Sequence, residues 1–276
     1  MSIKLIAVDI DGTLLNSQRQ VTPEVFQAIQ DAKAAGVKVV IATGRPIPGV
    51  LPLLEELNLN QDGDYVITFN GGLVQETSTG NELIRETLSY EDYLDIERFA
   101  FDIEVLANKL GVHSHAITKD GIYTSNRNIG RYTVHESTLV HMPIYYRTPE
   151  EVADKEFVKA MYIDEPEILD AAIAKLPQEF YDRFTIVKST PFYLEILKKT
   201  ANKGIAVTHL AEKLSLTKEE TMAIGDEEND RAMLEVVGSP VVMENGNPEI
   251  KKIAKYITKS NDESGVAYAI RKWVLD

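Results

Sequence analysis

The 276-residue sequence has no cysteine and a single tryptophan, Trp273. Without cysteine there is no disulfide, no thiolate nucleophile and no cysteine-ligated metal. No apolar run approaches the ~20 residues that a bilayer-spanning helix needs. The opening MSIKLIAV reads as the start of a strand and not as a cleavable leader. Positive charge is also short: 29 Lys and Arg face 43 Asp and Glu, a formal net charge of −14. Such a field repels nucleic acid and anionic membrane. The expectation is a cytoplasmic protein with neither as partner, a monomer or small homo-oligomer. A small anion would bind only where a metal, a lysine or helix-end amides override the field.

What is present reads as an α/β chain with a different module set into it. Strand patterns at 4–8, 37–43 and 64–72 alternate with helix patterns at 23–35 and near 47–57. Thr22 and Pro23 mark the N-cap and first position of the first helix. After residue 196 the alternation resumes, beginning with NKGIAVTHLAEKL as a helix and TMAIG as a short buried strand. Alternation of this kind predicts a Rossmann-like, doubly wound parallel sheet with helices on both faces. The middle is different. SYEDYLDIERFAFDIEVLANKLG reads as one long helix started by a Ser89–Asp92 capping box. VHSHAITKDGIYTS reads as a hairpin turned at Asp120-Gly121. The predicted organisation is a core at 1–84, an inserted α+β cap domain at 85–195 and a second core segment at 196–276.

Ligands of open α/β sheets bind at the carboxyl ends of the strands. The first strand here ends in Asp9-Ile10-Asp11-Gly12-Thr13, the second in Thr43-Gly44-Arg45 and the third in Asn70-Gly71-Gly72. The short late strand ends in Gly225-Asp226 and runs on to Asn229-Asp230. Lys203 opens a helix. Carboxylates gathered in one crevice repel one another and need a cation. An oxygen-only ligand set with no histidine or cysteine suits Mg2+, which also bridges to phosphate.

In that order, DIDGTL, ATGR, NKG and GDEENDRAML resemble the four motifs of the haloacid dehalogenase-like phosphohydrolases. The inserted module resembles the cap of the Cof-type sugar phosphatases. The resemblance implies a Mg-dependent phosphatase of small phosphorylated metabolites, sugar phosphates among them. It makes Asp9 the nucleophile that forms an aspartyl-phosphate, and Asp11 the general acid–base, with its backbone carbonyl on the metal. It has Thr43 and the Gly44 amide hold phosphoryl oxygens, and Lys203 neutralise charge between nucleophile and phosphate. Ile10, Gly12, Arg45, Asn70, Gly71 and Asn229 join the phosphate-binding set. Asp226 becomes a metal ligand beside Asp9 and Asp11, with Asn229 and Asp230 in the same metal site, where Asp230 supports the metal shell or Lys203.

Taken singly, several of these residues have plainer readings. The two acids could cap a turn, Lys203 could be an exposed helix lysine, and Arg45 could serve a structural ion pair. Their order along the chain is what raises them. Two other functions share the motifs. A phosphomutase or phosphotransferase would change only the acceptor, but the stretch from Asp11 to Thr43 holds one helix and no cap. A non-catalytic phosphate sensor would be expected to lack Asp9 or Asp11, and both are present. In the inserted module, His113 and His115 lie two apart on an expected strand. They read as metal ligands lacking a third partner or as residues facing the substrate. Tyr145, Tyr146, Arg127 and Arg131 are further candidate cap contacts, while His135, His141, His209 and Trp273 read as structural.

Overall fold

The structure, a computed structural model, describes residues 2–106 and 109–276. The chain opens with β1 (Leu5–Val8), α1 (Pro23–Ala34), β2 (Lys38–Ala42), α2 (Leu51–Glu56), β3 (Tyr65–Thr68), β4 (Leu73–Glu76) and β5 (Glu82–Arg85). There follow α3 (Tyr90–Asp102), β6 (Glu104–Leu106), β7 (Lys109–Leu110), β8 (Ser114–Ile117), β9 (Ile122–Thr124), α4 (Arg131–Val140) and β10 (Ile144–Tyr146). Next come β11 (Lys159–Ile163), α5 (Pro166–Ile173), α6 (Gln178–Arg183), β12 (Phe184–Thr190) and β13 (Tyr193–Lys198). The chain closes with α7 (Lys203–Lys213), β14 (Thr221–Gly225), α8 (Arg231–Val236), β15 (Ser239–Val242), α9 (Pro248–Lys251), β16 (Tyr256–Ile257) and α10 (Gly265–Ile270).

These elements form two compact units. One comprises Met1–Gly44, Val50–Ile84 and Asn202–Asp276; the other comprises Arg45–Gly49 and Arg85–Ala201. The second unit runs past residue 195 because β13 continues to Lys198.

The first unit is built on an eight-stranded sheet ordered β16-β15-β14-β1-β2-β3-β4-β5. From β16 to β3 every neighbouring pair is parallel. One departure from the expected parallel sheet is β4, which returns antiparallel to β3 because only the tight Phe69–Gly72 connection separates them. The central strand β1 is buried throughout, as its run of Leu, Ile, Ala and Val requires of a strand covered on both faces. Leu5 and Ala7 pack with Ala206, Val207 and Leu210 of α7 and with Met233 and Leu234 of α8. On α1, Val25, Ala28, Ile29 and Ala32 form the buried stripe that the 3.6-residue repeat demands. The chain winds from β1 to β3 on one side and from β14 to β16 on the other, so the winding reverses between β1 and β14. That reversal opens a crevice at the strands' carboxyl ends.

The second unit has a six-stranded sheet ordered β10-β9-β8-β11-β13-β12. One face packs Tyr93, Ile96 and Ala100 of α3 and Leu169 and Ala172 of α5 against Ala116, Tyr162 and Ile196. The capping box forms, but the helix it starts is shorter than the sequence suggests. α3 stops at Asp102, where Ile103 turns extended (φ −70°, ψ 126°). β-Branched Ile103 and Val105 favour strand, and the Gly111 amide closes back on the Ile103 carbonyl at 2.7 Å. Residues 107 and 108 of that expected helix lie outside the described residues. The helix α4 has no counterpart in the sequence reading. Thr133, Val134, Thr138 and Val140 blur its pattern, and its N-cap is Gly130, which offers no side-chain bond.

Candidate active site

The reversal crevice collects side chains from four strand ends. Asp9 follows β1 directly and stays in register, its amide donating to the Ile224 carbonyl at 3.0 Å. Asp226 follows β14 in the same way. Between them Gly12 turns with φ +81°, and a Cβ there would collide with the Asp226 carboxylate. Glycine thus lets the β1 loop close on the β14 loop. Thr13, 1% exposed, completes the closure by donating its hydroxyl to Asp226 Oδ1 at 2.7 Å.

The ends of β2 and β3 are tied by backbone. The Thr43 amide donates to the Ile67 carbonyl, and the Thr43 carbonyl accepts from the Asn70 amide, both at 2.9 Å. Phe69 and Asn70 both adopt left-handed φ, 51° and 52°. For a bulky residue such as Phe69 this is strain of the kind found at functional sites. It sets Asn70, which is buried, beside Gly44. Gly71 follows at φ +97°, and a Cβ there would collide with the Asn202 carbonyl. Asn202 is the N-cap of α7 and accepts from the Ile205 amide at 2.9 Å. In this way the β3 turn fixes the first residue of α7, Lys203.

Lys203 is wholly inside. Its ammonium donates to Asp9 Oδ1 at 2.5 Å and to Asp230 Oδ1 at 2.7 Å. Asp230 Oδ2 accepts from the Asp226 and Glu227 amides at 2.9 and 3.2 Å. Both Asp230 oxygens are therefore committed, one to the lysine and one to the β14 loop. Asp9, Asp226 and Asp230 bring oxygens within 4.8 Å of one another. Burial raises the Asp9 carboxyl to about 8, with Asp230 adding to the rise and Lys203 opposing it. Burial likewise lifts Asp226 to about 7. For Lys203, burial favours the neutral amine, but the charges of Asp230 and Asp9 outweigh it and hold the ammonium protonated well above its ordinary range.

The other sequence candidates fall around this centre. Asp11 points outward, its side chain 56% exposed and 4.0 Å from Arg19, apart from the three clustered carboxylates. Thr43 and Ile10 are buried, and Asn229 is half-buried in the 3-10 turn Glu228–Asp230. Arg45 belongs to the second unit. Outside the site, His113 pairs with Asp164 at 2.7 Å and His115 is fully buried, with no metal-ligating cluster around either among the described residues. Sequence reasoning placed Thr13 at the end of the first strand and Asn202 in the NKG motif without giving either a role, and it missed Phe69. Asn202 carried a signal, an N-cap residue directly before the helix.

A family model described as haloacid dehalogenase-like hydrolase matches residues 6–270. The chain belongs to these hydrolases, Cof type. It is a phosphatase of that family. A Streptococcus pyogenes protein named "Putative phosphatase" is 68% identical over 276 residues, covering all of both chains. A Bacillus subtilis 5-amino-6-(5-phospho-D-ribitylamino)uracil phosphatase is 33% identical, with 100% of this chain and 97% of that one covered. Among solved structures, a Thermotoga maritima protein matches with a TM-score of 0.83 at 29% identity, covering 99% of this chain and all of that one. No helix among the described residues of the phosphatase is long and apolar enough to cross a membrane.

The fit of a divalent cation can be judged on this phosphatase's own atoms. The donors are all carboxylate oxygens, two of the three carboxyls are held back from ionising by burial, and Asp230 already accepts from Lys203 and from two backbone amides. Asp9 and Asp226, which lack the paired amide bonds of Asp230, would be the side-chain ligands. Two carboxylates match what Mg2+ takes while keeping several waters.

Proposed function

We propose that this phosphatase is Mg-dependent and hydrolyses small phosphorylated metabolites, sugar and polyol phosphates among them, through an aspartyl-phosphate on Asp9. The observation that carries the reading is the contrast between the two acids of the first motif. Asp9 is buried and pinned by Lys203, while Asp11 is exposed and stands apart from the carboxylate cluster.

The chemistry follows from that contrast. Lys203 holds Asp9 Oδ1, leaving Oδ2 as the attacking atom. Oδ2 forms a bond to phosphorus as the bond to the ester oxygen breaks. The departing alkoxide takes the proton of the Asp11 carboxyl. The Asp11 carboxylate then removes a proton from water, the water oxygen bonds to phosphorus, and the bond to Asp9 breaks. Inorganic phosphate and free Asp9 result. Thr43, the Gly44 amide, Asn70, Gly71 and Asn229 would hold phosphoryl oxygens, and Asp230 would keep Lys203 charged and aimed. When bound by Asp9 and Asp226, Mg2+ supplies positive charge against the phosphoryl oxygens. A general acid contributes only ~10²–10⁴ in rate, while phosphate-monoester hydrolysis calls for up to ~10²¹. Fixed charge around the phosphoryl group must supply most of the remainder.

The substrate class is supported by the relatives. The B. subtilis protein is named for a phosphate on a ribityl chain, and a 30% identical Methanobrevibacter smithii protein is named a phosphoglycolate phosphatase. Both names describe small phosphorylated metabolites.

The test is an aryl phosphate assay joined to mass spectrometry. Hydrolysis should need magnesium and stop in EDTA. Asp11→Asn should release a burst of aryl alcohol and then turn over slowly, because an aryl oxide leaves without protonation while water still needs a base. The trapped phosphate should map to Asp9. A burst from Asp9→Asn, or phosphate on another residue, would overturn the assignment.

A further inference from the structure

A cavity of about 620 Å³ lies wholly inside the second unit and takes no part in the chemistry above. Glu97, Arg98 and Phe101 line it from α3, at the three- and four-residue spacings that put side chains on one helix face. His113 just before β8, the stretch after β9, and the end of β10 with the stretch after it supply most of the rest. Its size is that of a small-molecule site.

The floor is polar and already ordered. Glu97 is 5% exposed, and its carboxylate accepts the Ser114 hydroxyl at 2.7 Å and the Ser125 hydroxyl at 2.5 Å. Asn126 is fixed by its Oδ1, which accepts from the Ser114 amide at 2.8 Å; its amide nitrogen donates to no group among the described residues. His113 is fixed through Nδ1 to Asp164 at 2.7 Å, so Nε2 is the ring nitrogen left to a ligand.

The rim is aromatic and cationic. Phe101 is 60% exposed and Tyr146 40%. Arg127 meets only the Tyr146 hydroxyl, through Nε at 3.3 Å, and pairs with no carboxylate among the described residues. Arg147 and Arg271 likewise pair with no carboxylate among the described residues. Arg19, Arg98, Arg131, Arg183 and Arg231 each have an acidic partner. Glu150 adds one negative charge to the lining.

We propose that this cavity binds a small aromatic anion of nucleoside monophosphate size. Amino or hydroxyl donors of its ring system would face Glu97, the ring would stack on Tyr146 or Phe101, and the negative group would meet Arg127. An apolar molecule would leave the Glu97 floor and Arg127 unanswered. A bare inorganic anion would leave the aromatic rim and most of the volume unused. Exposed tyrosine and phenylalanine stack on nucleobases without demanding one sequence of base, and a guanidinium presents paired donors to phosphate.

The experiment is calorimetric titration of the full chain with adenosine monophosphate in EDTA, so that no turnover occurs. Adenosine and inorganic phosphate serve as half-ligand controls. Adenosine monophosphate should bind at one site, at least about tenfold tighter than either control. Arg127→Ala should weaken it by about tenfold, and Phe101→Ala by a smaller factor. Phe101→Ala should leave magnesium-dependent hydrolysis of an aryl phosphate unchanged, which keeps this inference separable from the catalytic reading. The inference is overturned if adenosine monophosphate fails to bind up to about 5 mM, a weak-affinity ceiling. It is equally overturned if binding survives both substitutions, or is lost in Lys203→Met but kept in Arg127→Ala.

Discussion

Each unit of the molecule buries a lysine against two carboxylates, and the two arrangements are built on different principles. Lys203 and Lys159 are each 1% exposed. Lys203 makes two short bonds, at 2.5 and 2.7 Å, and its partner Asp230 is fixed in turn by two backbone amides. Lys159 sits 3.4 Å from Glu195 and 3.9 Å from Glu136. Burial raises the Glu136 carboxyl even with Lys159 beside it. Beside the Lys159 group lies His115, whose two ring nitrogens have no hydrogen-bond partner among the described residues. The first arrangement is directional: strand-end backbone dictates where each oxygen lies. The second holds its charges at the longer distances of 3.4 and 3.9 Å, with Glu136 also hydrogen-bonded to the Tyr193 hydroxyl. A site that must hold developing charge in a reaction needs the first kind. The second is the kind of buried ion group that often adds little net stability.

The sharpest way to break this comparison is to remove each lysine while keeping its bulk. Lys203→Met should lower kcat for an aryl phosphate by at least about 10³-fold, since it removes a fixed charge and loosens Asp9 together. Lys159→Met should change it by less than about tenfold. Its cost should appear in stability instead. Glu136 and Glu195 would be left buried without their cation, a loss of about 3 kcal/mol in urea unfolding at about pH 8. Lowering the pH should recover much of that loss, because a buried carboxyl with a raised pKa gains stability as it protonates. Equal kinetic losses in the two variants would show that both lysines serve the reaction.

How far the sequence disclosed these two sites follows the same division. Asp9, Thr43, Lys203 and Asp226 were legible because each stands at a strand end or helix start, where backbone direction alone aims the side chain at the crevice. The α/β alternation made those ends readable. Asp230 was legible as a member of the centre, supporting the metal shell or Lys203, but its hold on two backbone amides was not, since that depends on how the turn after Asp226 folds back. The Phe69–Asn70 strain was illegible for the same reason: nothing in the sequence FNGG requires a phenylalanine at positive φ. In the second unit, Lys159, Glu136 and Glu195 come from a strand, a helix with a blurred pattern and a second strand far along the chain. Only the antiparallel register, which sets Met161 opposite both His115 and Glu195, puts them on one face. No local motif encodes that register.

A smaller effect tests whether the first cluster is poised for a cation. Without metal, Asp226 and Asp9 titrate at about 7 and about 8, above the ordinary 3.8, chiefly because they are buried. The folded state then keeps protons that the unfolded chain has lost. Their contribution to stability is therefore full below about pH 4 and declines as pH rises towards 8. Magnesium competes for the same oxygens, so its stabilising increment should grow with pH. Thermal melts with magnesium and with EDTA should differ more at about pH 8.5 than at about pH 6, by some 2–4 °C for each kcal/mol of binding energy. A larger shift at the lower pH would refute this.

The smallest effect concerns His115. Its ring is 0% exposed, and burial, followed by the charge of Lys159, lowers its pKa from 6.5 to about 3. The folded protein therefore holds it neutral across the working range. Neutral imidazole still carries one N–H and one lone pair, and a buried polar atom without a partner costs about 1–3 kcal/mol. His115→Leu removes both at roughly constant volume and should stabilise the protein by about 1 kcal/mol at about pH 8, after some loss of packing fit. The pH dependence gives a second reading. A histidine with a depressed folded pKa contributes stability that is complete above 6.5 and is lost as pH falls towards 3. The leucine variant lacks that loss, so its advantage should widen by about 2 kcal/mol at about pH 5. Urea unfolding at the two pH values measures both. If the variant is less stable at each, His115 contributes through contacts with the Lys159 group that outweigh its unsatisfied nitrogens, and the second cluster is more directional than its distances suggest.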